Sequence, residues 1–218
     1  MIDHIELNDF FDAHALDLAP HLLGCELTVT TARGSVAVRL TEVEAYGDQG
    51  EDPGAHSYRG KTPRNASLFG PPRHAYVYQS YGIHYCLNLT AHAAGAGGVL
   101  LRAAEVVGGR ELAVDRRGGK DTGPKLLSGP GRLGQGLGVT LPMDGSPLQI
   151  ASCAPGRHPT QGVSFVLKPA ATSSLGVRCS GPRVGVSGVG GSRQFPWRFW
   201  IEGDRTVSSY RPGKNVPA

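Results

Sequence analysis

Residues 26–46 read ELTVTTARGSVAVRLTEVEAY. Apolar and polar residues alternate with a period of two on both sides of Ala32-Arg33-Gly34. This predicts two strands, Glu26–Thr31 and Ser35–Glu44, joined by a tight turn. Strict alternation puts Val36, Val38 and Leu40 on one face and carries Glu42 and Glu44 onto that same face. A carboxylate is therefore expected where the apolar face ends. Residues 75–90 read AYVYQSYGIHYCLNLT and follow the same grammar. Two strand-like runs, Ala75–Gln79 and His84–Thr90, flank Ser80-Tyr81-Gly82-Ile83 and predict a hairpin with a tyrosine at its tip. Val99–Ala103 is another apolar strand, with Arg102 near its end.

Outward from these strands the pattern is mixed. Residues 8–24 predict a helix with Asn8, Asp9 or Asp12 as cap and Gly24 as stop. Residues 47–62 are polar and glycine-rich and predict a loop. Thr62-Pro63-Arg64-Asn65 signals a short helix ending by Phe69. Residues 109–117 and 124–138 predict helices, the second capped by Ser128 with Pro130 in its first turn, although its glycines weaken it. The last third predicts strands at Leu148–Ala151, Val163–Lys168, Leu175–Cys179, Arg183–Val186 and Arg198–Ile201. No repeat or dividing linker appears. The expectation is an α+β fold with one domain over residues 1–210 and a loose tail over 211–218.

The composition excludes several classes. The chain has 218 residues, 39% of them hydrophobic, with Gly 32 and Pro 16, which argues for many turns and against a helical bundle. No apolar run is long enough to span a membrane, and the N-terminus lacks a signal-peptide pattern. The four cysteines, Cys25, Cys86, Cys153 and Cys179, are far apart and form no CxxC. Reduced thiols and a cytoplasmic setting are expected. The net charge of +4 permits a polyanionic partner without demanding one. No HExxH or GxSxG occurs, and the glycine-rich segments Gly95–Gly98 and Gly188–Gly191 lack the P-loop lysine and the dinucleotide pattern, so no metal or other cofactor is expected.

Glu44 stands among π faces: Tyr46, His56 and Tyr78, with Tyr76, Tyr81, His84 and Tyr85 nearby. One carboxylate beside several aromatic walls suits a flat, electron-poor ligand. Tyr76 and Tyr85 read as ordinary sheet residues, because tyrosine favours strands. Tyr81, with Ile83 beside it, has less core to join and suits contact with a partner. Arg59, Lys61, Arg64, Arg73 and Arg102 are suited to phosphates, and Thr62 and Arg132 belong to the same expected set.

Thr41–Tyr46, Ala55-His56-Ser57, Thr62–Asn65, Tyr76-Val77-Tyr78 with Tyr81-Gly82, Cys86-Leu87-Asn88, Val99–Ala103, Ser128-Gly129-Pro130 and Pro182–Val186 follow one another in an order that resembles the alkyladenine (3-methyladenine, or methylpurine) DNA glycosylases, from about residue 9 to residue 202. The resemblance implies a curved antiparallel sheet with surrounding helices and a protruding DNA-intercalating hairpin. It implies Glu44 as general base, Arg102 as holder of the catalytic water, and Tyr46, His56, Tyr78 and Asn88 as the base pocket. Asn88 would crowd the amino group of normal guanine. Tyr81 would be the intercalating wedge, helped by Ile83. The implied reaction removes alkylated or deaminated purines flipped from double-stranded DNA, without a cofactor, leaving an uncut abasic site, and a monomer is the default expectation for a protein acting on one nucleotide. One carboxylate suffices for such a reaction, because an alkylated purine already carries positive charge and leaves as a neutral base, unlike the alkoxide that glycoside hydrolases must release. A non-catalytic lesion-binding protein and an RNA-modifying or formyltransferase-like enzyme of the same fold are the alternatives.

Overall fold

The structure is a computed structural model that describes residues 4–119, 123–151, 162–171 and 176–217. The first two strands form where the alternation places them. β1 (Glu26–Thr31) and β2 (Gly34–Tyr46) pair antiparallel, with Thr31 opposite Gly34, so Ala32 and Arg33 alone make the turn. Further along lie β3 (Ala75–Ser80), β4 (His84–Thr90), β5 (Gly98–Gly108), β6 (Leu148–Ile150), β7 (Ser164–Lys168), β8 (Arg178–Gly181) and β9 (Arg198–Ile201). They build one curled sheet in the order β3-β4-β5-β2-β1-β7-β6, with β9 joining β2 and β8 joining β9. Every pairing is antiparallel except β6 with β7. The architecture is α+β, as expected, with a mixed rather than wholly antiparallel sheet.

The middle of β2 departs from the strict alternation. Leu40 pairs with Ala104, Glu42 with Ala103 and Val43 with Leu101, so Thr41 on β2 and Arg102 on β5 are each left as an extra residue. Such bulges reverse the facing of every later side chain. Val36, Val38 and Leu40 enter the main core, but beyond the bulge it is Val43 and Ala45 that do so. Glu42 and Glu44 therefore point from the opposite face, and their expected continuity with the apolar face is wrong. The bulge sits where β2 exchanges one neighbour for another, pairing with β1 up to Arg39 and with β9 from Glu42 to Glu44.

Among the described residues, four α-helices cover the apolar face. The helix expected over residues 8–24 is two: α1 (His4–Phe11) and α2 (Ala15–Leu22). His14 caps the second, its Nδ1 accepting from Leu16 N at 3.0 Å. The expected caps serve otherwise, since Asn8 Oδ1 and Asp12 Oδ1 accept from Arg73 at 3.2 and 2.8 Å. Arg73 is thus committed to an ion pair rather than free for a phosphate. α3 (Arg110–Arg116) and α4 (Pro130–Leu137) complete the layer. α4 begins after Gly129, and Ser128 does not cap it. Its glycines allow a close approach to β4: a Cβ on Gly134 would lie 1.9 Å from the Tyr85 carbonyl oxygen.

The strand expected at Arg183–Val186 is a turn with Arg183 fully buried. The strand expected at Leu175–Cys179 overlaps β8 only at Arg178 and Cys179, and Leu175 lies outside the described residues, as does Cys153. Residues 212–217 form no helix or strand, yet the Arg211 and Lys214 carbonyls accept from Gly185 and Gly188 at 2.8 and 2.9 Å. Among the described residues no helix is long and apolar enough to cross a membrane.

Candidate active site

The reversed facing creates a row across the sheet on the side away from the helices. Tyr76 on β3 lies opposite Asn88 on β4, Asn88 opposite Leu100 on β5, Leu100 opposite Glu44 on β2, and Glu44 opposite Arg198 on β9. Above this row opens a cleft of about 640 Å³ lined by Tyr46, His56, Tyr76, Tyr78, Asn88 and Arg102, among others. Five side chains expected near one another from the sequence, Tyr46, His56, Tyr78, Asn88 and Arg102, thus share its wall. Tyr81 reaches its rim.

Glu44 is fully buried just behind the wall. Its Oε2 accepts from the Tyr46 hydroxyl at 2.9 Å and from Arg102 Nη1 at 3.2 Å, and its Oε1 accepts from Val184 N at 2.6 Å. The three donors belong to residues that line the cleft. Burial, and then the charge of Glu44, hold the Tyr46 phenol well above its usual pKa, so it stays protonated and donates. Burial opposes the charge on Arg102, but Glu44 and Glu42 outweigh it and raise its pKa, so the guanidinium stays charged.

A second buried ion pair sets the outer wall. Arg183 donates through Nη1 and Nη2 to the two oxygens of Asp52, each at 2.5 Å, and its guanidinium lies 4.5 Å from the Tyr46 ring centroid. Asp52 also accepts from Gly47 N and Gly54 N, which fixes the loop that carries His56. Asn65 closes the same loop: Nδ2 donates to the His56 carbonyl at 2.8 Å and to the Gly60 carbonyl at 3.0 Å, while Oδ1 accepts from Thr62 N.

The His56 ring stands edge-on to Tyr78, with centroids 4.6 Å apart, and its Nδ1 shares a hydrogen bond with the Tyr76 hydroxyl at 2.9 Å. Although His56 opens to the cleft, the surrounding protein lowers its pKa by desolvation, and the Arg64 charge lowers it further. The imidazole is neutral at pH 7. Asn88 donates to the Tyr76 carbonyl at 3.0 Å, which fixes its amide on the floor.

Beyond the cleft, β3 and β4 end at the turn Tyr81-Gly82-Ile83. Tyr81 is 93% exposed with a φ of +50°, and Ile83 is 72% exposed. A large aromatic held outward in a left-handed conformation is strained and covers no core. Lys61, Thr62, Arg64 and Arg132 are all exposed. Arg64 donates to the Gln79 carbonyl at 3.2 Å, beside the turn, and Arg132 projects from α4. Among the described residues no group of three or more His, Cys, Asp or Glu is placed to hold a metal ion.

Sequence reasoning missed three parts of this site. Tyr76 shares the pocket face with Tyr78, as their spacing of two required, yet it read as an ordinary sheet residue. Glu42 is as buried as Glu44. Arg183 and Asp52 lie 131 residues apart, and no local pattern joins them.

A family model described as methylpurine-DNA glycosylase matches residues 9–205. A protein of Streptomyces avermitilis is 47% identical over 204 residues, covering 93% of this chain and 90% of the relative. One of Frankia casuarinae is 45% identical, covering 94% and 92%, and one of Leifsonia xyli 43%, covering 93% and 91%. All three carry the name "Putative 3-methyladenine DNA glycosylase".

Proposed function

Since this chain belongs to the methylpurine-DNA glycosylase family, we propose that it hydrolyses the N-glycosidic bond of alkylated or deaminated purines flipped out of double-stranded DNA, with Glu44 as general base. It is a DNA glycosylase, a hydrolase of N-glycosyl bonds. The observation that carries the mechanism is a buried glutamate held by three donors behind an aromatic cleft.

A base inside the stack cannot be reached, so it must leave the duplex. Tyr81, with Ile83, fills the gap as a wedge at the end of the β3–β4 pair. The flipped purine enters between Tyr46, His56 and Tyr78. A cationic alkylpurine gains roughly 0.5–2 kcal/mol from each well-placed aromatic face, whereas a normal base does not. Asn88, with its amide fixed by Tyr76, crowds the exocyclic amino group of guanine. Water then attacks C1′, Glu44 takes its proton, and the bond from C1′ to the purine nitrogen breaks as the base leaves with the electron pair. Arg102 holds the water, and the Glu44 charge offsets the positive charge developing on the sugar. With water as the attacking group no covalent bond to the enzyme forms, and the product is an uncut abasic site. The enzyme is read as a monomer acting on DNA in the cytoplasm. Lys61, Thr62, Arg64 and Arg132 contact phosphates.

One observation favours the lesion-binding alternative: Glu44 lies behind Tyr46, Arg102 and Val184 rather than on the cleft surface. Single-turnover base release separates the two readings, using duplexes with one hypoxanthine or one 3-methyladenine. Glu44→Gln is expected to slow release by at least about a hundredfold and to keep binding the lesion duplex. Tight binding by the unaltered protein with no release of either base would overturn catalysis. Preference for damaged RNA in competition would overturn the DNA substrate.

A further inference from the structure

Glu42 and Glu44 share one face of β2 but differ in how fully they are bonded. Glu42 Oε1 accepts from Arg102 Nε at 3.0 Å, Arg198 Nε at 2.7 Å and Ser208 Oγ at 2.8 Å, and Oε2 accepts from Ser208 N at 2.7 Å. An ionised carboxylate offers about four lone-pair sites. Glu42 accepts four bonds, three at Oε1 and one at Oε2, all from Arg102, Arg198 and Ser208. Glu44 accepts three and keeps about one site open. Arg102 links them, one nitrogen to each carboxylate, with Nη2 donating to Ser208 Oγ at 3.3 Å.

We propose that Glu42 is a positioning residue, a permanent buried anion that holds Arg102 through Nε and so prevents the guanidinium from closing two arms on Glu44. The proposal rests on Glu44 being the base. Guanidinium groups favour two parallel bonds to one carboxylate. Here Arg102 is divided between two. With Glu42 neutral, Glu44 would be the one remaining charged partner of Arg102 in this network, and a paired bond would occupy the lone pair that water needs. Arg198 balances the second negative charge, so two carboxylates and two guanidiniums share the buried space. The end of the chain closes this anchor. Ser208 supplies two of the four donors to Glu42, and Lys125 Nζ donates to the Val207 carbonyl at 2.6 Å beside it.

The test compares maximal single-turnover base release, at saturating enzyme, with affinity for a duplex carrying an abasic site. Glu42→Gln is expected to lower the maximal rate about tenfold or more while the affinity changes by no more than about twofold. Glu42→Asp, which keeps the charge, is expected to recover part of the rate. Ser208→Ala, a milder change, is expected to lower the rate about two- to threefold with the affinity kept. In a Glu44→Gln background, Glu42→Gln should make no further difference, because a residue that acts through another loses its effect with it. An unchanged rate in Glu42→Gln, or the same fold-loss in both backgrounds, overturns the proposal. If Glu42→Gln does not fold by circular dichroism, Ser208→Ala decides, and a full rate in that variant overturns it. Full activity of Glu44→Gln alone would instead remove the base assignment on which the proposal rests.

Discussion

His56 is a titratable group in contact with the proposed substrate space. Desolvation, and then the Arg64 charge, keep its folded-state pKa below the ordinary histidine value. In the unfolded chain the imidazole takes up its proton near pH 6.5. The unfolded state therefore binds more protons as the pH falls through that value, and stability is lost on acidification. His56→Gln is expected to reduce this loss. Urea midpoints at pH 7 and pH 5 check it: the unaltered protein should drop further between the two than the variant. Equal drops would show that His56 takes its proton as easily folded as unfolded. The same sign bears on substrate choice. A protonated His56 would place a positive charge beside a cationic purine, so neutrality at pH 7 suits the aromatic wall to that ligand.

At the scale of elements, two close approaches hold the cleft in place. α4 lies so near β4 that Gly134 has no room for a side chain against the Tyr85 carbonyl. Gly134→Ala should gain helix propensity yet lose more to the clash, for a net cost of about 1–3 kcal/mol. In a chain of this size that lowers the melting temperature by roughly 2–12 °C. Thermal unfolding measures it, and an unchanged midpoint would mean that the helix can shift freely. The second approach is the bulge that turns Glu42 and Glu44 toward the cleft. The sequence carries its signal in a change of phase. The apolar residues run on even numbers from Val36 to Leu40, then on odd numbers at Val43 and Ala45. Keeping one phase would have put two glutamates in the core and two apolar side chains outside it. The turn at Tyr81, the short 3-10 helix Ala66–Phe69 that follows the Thr62–Asn65 signal, and both strands around Ala32-Arg33 were readable because their signals are local. The break at His14 was not, because an imidazole cap in place of Asp or Ser carries little sequence signal. The Arg183–Asp52 pair was not, because it joins segments that only the folded sheet brings together.

For the whole molecule, the distribution of cations matters more than the net charge of +4. Tyr81 stands between two recesses. One is lined by Arg64 with Pro63 and Gln79, the other by Lys125, Arg132 and Arg211. A duplex centred on this tip would meet basic groups on both flanks, one set from the loop before β3 and one from α4 and the end of the chain. Each phosphate neutralised releases counterions, and the logarithm of the binding constant falls with the logarithm of salt with a slope of about −0.9 per contact. Arg64→Ala and Arg132→Ala are each expected to make that slope shallower by about 0.9 and the double variant by about 1.8. The affinity should weaken alike for duplexes with and without a lesion, because phosphate contacts do not read the base. Titrations of a fluorescent duplex between about 50 and 200 mM salt measure both quantities. Tyr81→Ala serves as the contrast, since the proposed wedge is uncharged and releases no counterions: its slope should stay unchanged while lesion binding weakens. Unchanged slopes in both arginine variants would place the duplex elsewhere on the surface and separate the tip from the path of the DNA.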